Sequence, residues 1–311
     1  MKRLVITGAT SMLGIAIMEE ALTHVETERI YAVVRPNTEH IIRLPRDERI
    51  QQVTCSAEDY THLSDLINEP CDALFHTAWL STGPKRNTDI IGQAKNIAFT
   101  LDALHAAKTL GCRQFVATGS QAEYGNPDVN VFSPETPANP VQPYGIAKYA
   151  AGKLAMAEAC QLGIGCCWVR VFSVFGRYDK PTMLIPSTIK KMRSGEHCAF
   201  TQGTQLWDYL YDRDAGKALY LLGNLDRIHS KIYCLGSGIS KPLHIYVEQL
   251  RDLVQPDAVL GFGEITLPDT APRGLCADVS AIKQDTGWQP QWSFTEGICD
   301  LLERVRLDTE L

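Results

Sequence analysis

An open, doubly wound parallel α/β sheet followed by a smaller C-terminal lobe is the fold class that this 311-residue sequence predicts. Three observations predict it. Short, continuously apolar runs alternate with helical stretches over the first 173 residues, the pattern of strands covered on both faces. A glycine-bearing turn, Gly8 to Gly14, joins the first run to the first helical stretch. After about residue 173 the rhythm changes, and loops rich in Pro and Gly (176–186, 194–204, 236–242, 255–274) interrupt shorter elements. The chain therefore divides into residues 1–173 and 174–311.

Taken in order, residues 3–7 form a short buried strand, and Ile15, Ile17, Met18, Ala21 and Leu22 give residues 12–24 an apolar helical face. Gly8 allows a tight turn and close backbone approach, while Gly14 lets helix pack near strand. The amides and positive dipole end that open this helix suit the pyrophosphate of a dinucleotide. Gly8, Thr10, Ser11, Met12, Leu13 and Gly14 are the candidate contacts. A lone glycine-rich turn is a weak signal, but here the next strand, residues 30–34, arrives one helix later and completes a βαβ unit of the expected length. Strands over 51–54, 72–76, 113–118 and 164–172, with helices over 58–67, 88–110 and 144–161, continue the alternation. Such a sheet keeps its ligand crevice at the carboxyl ends of the strands.

Composition narrows the class further. At 45% hydrophobic and 21% charged, the chain can bury one sizeable core and a smaller second one. A net charge of −6 gives no electrostatic reason to expect nucleic acid or an anionic membrane as partner. No apolar run reaches transmembrane length, and the first strand begins too close to Met1 to leave room for a signal peptide. The ten cysteines show neither Cys-x-x-Cys nor zinc spacing, which reads as free thiols in a reducing, cytoplasmic compartment. His and carboxylates do not cluster at ligand spacing, so no metal site is expected.

The chemistry concentrates in Ser120, Tyr144 and Lys148. Tyr-x-x-x-Lys places a phenol and an amine one turn apart on one helix face. An ammonium and a cationic nicotinamide both favour the phenolate, so Lys148 is expected to lower the Tyr144 pKa and to hold the cofactor ribose. A hydroxyl at Ser120 would hydrogen-bond the same carbinol or carbonyl oxygen.

These segments together resemble the extended short-chain dehydrogenase/reductase family, in its nucleotide-sugar branch of NAD(P)-dependent epimerases, dehydratases and 4-ketoreductases. Thr7-Gly-Ala-Thr-Ser-Met-Leu-Gly14 is similar to the family's TGATGFLG turn, with Ser11 at the middle glycine. Leu74-Phe-His-Thr-Ala78 resembles the fourth-strand ending that passes the cofactor, and Asn96-Ile-Ala-Phe-Thr100 the NVxGT segment, with Phe99 in place of glycine. Residues 115–125 match the strand carrying the catalytic Ser or Thr, and Tyr144 and Lys148 match the catalytic pair. Arg170-Val-Phe-Ser-Val-Phe-Gly176, Trp207-Asp-Tyr-Leu-Tyr211, and Ala277-Asp-Val-Ser280 with Gly287-Trp288 extend the resemblance almost to the C-terminus.

The resemblance implies a Rossmann fold whose chain revisits both lobes, with residues 174–311 forming mainly the substrate-binding lobe. It also implies a homodimer built through the helices before and containing Tyr144, and adds Thr77, Ala78 and Asn96 to the cofactor contacts. Arg35, at the end of the second strand, favours NADP, since an acidic residue there would read the 2′-hydroxyl of NAD; NAD stays possible. Gln121 and Ala122 occupy the positions where a dehydratase carries its further acid and base, which disfavours elimination. Glu123 is expected to point away from the site, as its neighbour's side chain does on a strand end. Reduction of a 4-keto nucleotide sugar and epimerisation remain, with a non-catalytic NADP-binding regulator and a small-carbonyl reductase as further alternatives. Trp79, Gln121, Ser173, Trp207 and Arg273 are the candidate substrate contacts. Trp207 stands where relatives often carry a pyrophosphate-binding arginine, and it either stacks on substrate or packs in the core. Arg273 or Arg177 would supply the missing charge. His76, at a strand end, reads as a structural histidine.

Overall fold

The computed structural model describes residues 1–266 and 274–309. Strands β1 (Arg3–Thr7), β2 (Arg29–Val34), β3 (Ile50–Thr54), β4 (Ala73–His76), β5 (Gln114–Ser120) and β6 (Gly165–Val171) alternate with helices α1 (Met12–Leu22), α2 (Ile90–Thr109) and α3 (Pro143–Leu162). Past residue 172 come β7 (Ser173–Phe175), α4 (Leu184–Ser194), β8 (Cys198–Phe200), β9 (Leu206–Trp207), β10 (Tyr209–Tyr211), α5 (Asp212–Gly223) and β11 (Lys231–Leu235). The chain continues through β12 (Lys241–Pro242), α6 (Leu243–Val254), β13 (Leu260–Phe262), α7 (Ser280–Thr286) and α8 (Phe294–Thr309).

Seven parallel strands form the main sheet in the order β11-β6-β5-β4-β1-β2-β3. The order reverses beside β1, so the crevice of the doubly wound sheet opens where β1 and β4 end together, with Thr7 opposite His76. Leu4, Val5 and Ile6 are fully buried, as continuous apolar strands between two helical layers must be. α1 and α5 pack on one face, and α2 with α3 on the other.

Two departures from the sequence expectation have physical causes. Residues 57–66 wind as a 3-10 helix, and their buried side chains, Ala57, Tyr60 and Leu63, recur every three residues, the period of that helix. β11 adds a seventh sheet strand from the region that the sequence reading gave to the C-terminal lobe; it lies after α5, which itself returns to pack on α1.

Past the main sheet, a separate aromatic core gathers Phe175, Tyr211, Tyr246 and Phe294, with Ile298 and Leu301 from α8. Arg304 of α8 binds Glu19 of α1 at 2.7 and 2.8 Å and reaches Asp212 of α5, so the last helix is clamped to the first.

α3 starts with Pro143 in its first turn and stops at Gly163, whose φ of 65° is the left-handed cap conformation. Its inner face needs small residues. A Cβ at Gly152 would stand 2.5 Å from the Trp168 ring on β6. Gly152→Ala is therefore expected to destabilise the protein by about 1–3 kcal/mol through overpacking, outweighing up to about 1 kcal/mol of gained helix propensity. Thermal unfolding would check the sign, and a higher midpoint would refute this reading of the α3–β6 contact.

Candidate active site

The site begins at the Gly8 turn. Gly8 has φ 70°, and a Cβ there would lie 2.6 Å from the Ala78 amide nitrogen, so the turn packs flat against the backbone leaving β4. Thr77 fixes that approach by donating its hydroxyl to Thr7 O at 2.8 Å; its Oγ1 lies 3.0 Å from Ser11 Oγ. Ser11, at the usual position of a glycine, caps α1 by accepting the Gly14 amide at 3.0 Å. The amides of Met12 and Leu13 are left as orphan donors of the first turn among the described residues. Thr10 is held through its carbonyl, which accepts Arg43 Nη1 at 3.4 Å.

Arg35 is exposed at the end of β2. A second arginine, Arg43, reaches the turn and stacks over Tyr178, 4.9 Å from the ring centre, with Arg177 over the same ring at 5.0 Å. Motif reasoning missed Arg43 because it sits in a connection with no periodic signal.

Asn96 acts at one remove. Its amide is buried and occupied, accepting Leu80 N at 2.7 Å and donating to Leu80 O and Gly92 O, so it holds the loop after β4 rather than facing a ligand. His76 is likewise internal. It lies 2.8 Å from Thr7 Oγ1 and 3.3 Å from Thr100 Oγ1, and burial with the Lys148 charge pushes its pKa down to about 3. A neutral structural imidazole results.

Ser120 ends β5, where the chain turns sharply. Its Oγ accepts the Ala122 amide at 3.1 Å, and its own amide donates to Glu123 Oε1 at 2.8 Å. The strand stops at Ser120, so the alternation invoked for Glu123 does not apply, and the turn that follows folds the carboxylate back beneath the strand. There it is 1% exposed, accepts Trp168 Nε1 at 2.9 Å and pairs with Arg170 Nε at 2.8 Å. With both oxygens occupied, it anchors the turn after Ser120 and is not placed to move a proton.

Tyr144 and Lys148 share a face of α3. Lys148 is 3% exposed and donates to Thr118 O at 2.6 Å. Trp79 covers the same amine, with its ring centre 3.6 Å from Nζ, while its indole nitrogen donates to Gln93 of α2 at 2.9 Å. Burial pushes the Lys148 pKa down to about 7, partly opposed by the Glu123 charge. Burial also raises that of Tyr144, against the Ser120 hydroxyl and the Arg86 charge. The expectation that Lys148 depresses the Tyr144 pKa is thus corrected. Its nitrogen stands 6.0 Å from the phenol ring centre, and desolvation makes the amine itself reluctant to carry charge.

Arg86 is a second residue that sequence reasoning missed. It lies in a short helical turn, Pro84–Asn87, with its guanidinium carbon 5.4 Å from the Tyr144 ring centre. Among the substrate candidates, Trp79 meets Tyr144 edge-on at 6.2 Å, and Gln121 and Ser173 are half-buried, Gln121 directly after Ser120 and Ser173 on β7. Trp207 packs against the two cores on a strand paired with β12, which favours the packing alternative. Arg273 lies outside the described residues. Among the described residues no group of three or more His, Cys, Asp or Glu side chains is placed to hold a metal ion, and no helix is long and apolar enough to cross a membrane.

Comparison with known proteins adds the following. A family model described as the NAD dependent epimerase/dehydratase family matches residues 4–236. A UDP-glucose 4-epimerase of Corynebacterium glutamicum is 26% identical over 238 residues, covering 66% of this chain and 70% of its own. An uncharacterized UDP-glucose epimerase of Bacillus subtilis is 24% identical over 310 residues, 95% of each chain. Among solved structures, MoeE5 in complex with UDP-glucuronic acid and NAD superimposes with a TM-score of 0.84 at 24% identity, covering 99% of this chain and 100% of that one.

Proposed function

Because the chain belongs to the NAD dependent epimerase/dehydratase family, we propose that it is a nucleotide-sugar 4-epimerase that keeps its nicotinamide cofactor bound. The observation that carries this is the gathering of Ser120, Tyr144 and Lys148 beside the Gly8 turn, without a second acid–base pair. The turn fits such a cofactor: its closest approach excludes any side chain at Gly8, and the Met12 and Leu13 amides are open to a pyrophosphate. When bound, the nicotinamide supplies the hydride acceptor and donor.

The chain's own residues supply the rest. Tyr144 takes the proton of the sugar hydroxyl as the carbonyl forms, and returns it when the carbonyl is reduced. Ser120, whose oxygen accepts the Ala122 amide, turns its hydroxyl to the reacting oxygen and stabilises charge there. Lys148 holds the cofactor ribose and relays the proton. With Gln121 and Ala122 inert and Glu123 occupied, the site offers no pair for removing water, so chemistry ends at hydride transfer.

Relatives named as 4-epimerases support this reading over net reduction. A 4-ketoreductase exchanging NADPH is the second reading, favoured by Arg35 at the end of β2. Exposed Ile90 and Ile91 on α2, with Ile146 and Leu154 on α3, support a homodimer through these helices.

Incubation of the purified protein with UDP- and dTDP-linked hexoses, without added cofactor, is expected to yield the C4 epimer with no net change in nicotinamide absorbance. Stoichiometric consumption of NADPH by a 4-keto nucleotide sugar, with no epimer formed, would replace this reading by the second. Tight NADPH binding without turnover of any substrate would indicate a regulator.

A further inference from the structure

The loop between β4 and α2 and the loop after β7 meet above Tyr144, and they bring two cations there. Arg86 stands over the Tyr144 ring and is exposed. Its only backbone bond in the turn is the amide donated to Gly83 O, and among the described residues no carboxylate pairs with its guanidinium. From the other side, Lys180 reaches across to donate its amine to the Thr82 carbonyl. The two charges feel each other: Arg86, after burial, pushes the Lys180 pKa down.

The neighbouring acids offset this pair only in part. Asp179 is partly buried, accepts the Lys180 amide at 2.7 Å and acts against the Lys180 charge, while burial raises its own pKa to about 6. Asp89 is committed to the Ser81 hydroxyl and the Gly92 amide, with Lys85 and Lys95 nearby. Glu123 is occupied below the site. Lys148 is buried beneath Trp79. A local excess of positive charge is therefore held beside the phenol that handles the reacting oxygen.

Position decides what anion belongs there. The Arg86 guanidinium carbon is 5.4 Å from the Tyr144 ring centre, so an anion bonded to it would sit beside the phenol that meets the reacting oxygen. Resting on the nucleotide-sugar reading above, we propose that Arg86, with Lys180 across the cleft, selects a sugar that itself carries a carboxylate next to the reacting carbon: a nucleotide-linked uronic acid. The planar guanidinium suits a carboxylate bidentately, which the compact Lys180 ammonium does not.

The test is the ratio of affinities for UDP-glucuronic acid and UDP-glucose, measured by calorimetry on the cofactor-loaded protein and repeated with the dTDP-linked pair. Any general effect of a lost charge on Tyr144 cancels in this ratio. The unaltered protein is expected to favour the acid. Arg86→Gln is expected to erase about 10- to 100-fold of that preference, the range of one charge-assisted hydrogen-bonded contact. Arg86→Lys should restore part of it. Equal loss of affinity for acid and neutral sugars, or no preference in the unaltered protein, would overturn the proposal while leaving the nucleotide-sugar reading intact. Failure of UDP, dTDP and all four sugars to bind would remove that reading and the proposal together.

Discussion

Tyr144→Phe is expected to lower turnover by about 10²- to 10⁴-fold, the range contributed by a placed general acid–base, while cofactor affinity and the unfolding transition stay close to those of the unaltered protein. The ring is partly buried against Trp79 and below Arg86, and phenylalanine keeps both contacts. Only the proton is lost. The pH profile separates this role from a packing role. Because burial raises the Tyr144 pKa, the phenol stays protonated over the neutral range, so alcohol oxidation should accelerate as pH rises and more phenolate forms. Carbonyl reduction, which needs the protonated phenol, should hold level over the neutral range and fall only as the pH nears that raised pKa. Steady-state rates in both directions against pH would show opposite limbs, and both should vanish in the variant. Near-normal turnover would remove Tyr144 from the mechanism.

Glu123→Gln is expected to destabilise the protein by about 3–5 kcal/mol, the loss typical when one member of a buried ion pair is removed. Glu123 and Arg170 are 1% and 3% exposed, and no solvent is at hand to receive the guanidinium left behind. The carboxylate also accepts from Ser120 N and Trp168 Nε1. A glutamine would turn a donor toward a set of donors. Chemical denaturation measures the loss, and a change below about 1 kcal/mol, the worth of an exposed pair, would show that the pair is not doing what its burial implies. Since the same carboxylate fixes the Ser120 amide, turnover should fall along with stability.

Much of the sheet was legible because a strand buried on both faces is apolar throughout. β1, β2, β4, β5 and β6 fall within one or two residues of their expected spans, and α2 and α3 within two. β11 was not legible, since a five-residue run after the change of rhythm carries no sign of which sheet it joins. At the site, Ser120, Tyr144 and Lys148 could be read because their spacing is local. What surrounds them could not. Trp79 over Lys148, Arg86 over Tyr144 and Glu123 against Arg170 are contacts made by tertiary folding, each between residues more than 40 apart in sequence. The expected tuning of the phenol by the amine failed for the same reason. Sequence spacing places two groups on one face of a helix, but burial by Trp79 and the Thr118 carbonyl decides which of them holds charge.

The position of β11 bears on how the molecule is made. β6, seven residues long and almost wholly buried, has β11 as its outer neighbour, and β11 is not synthesised until residues 231–235. Until then β6 is an unprotected sheet edge, open to pairing with other chains. α1 likewise waits for α5, and its link to Arg304 waits for the last helix. The half of the sheet built before residue 173 therefore lacks its outer partner as it leaves the ribosome. Folding is held back until nearly the whole chain has emerged, and a nascent chain stalled near residue 173 would be a target for chaperones or for aggregation.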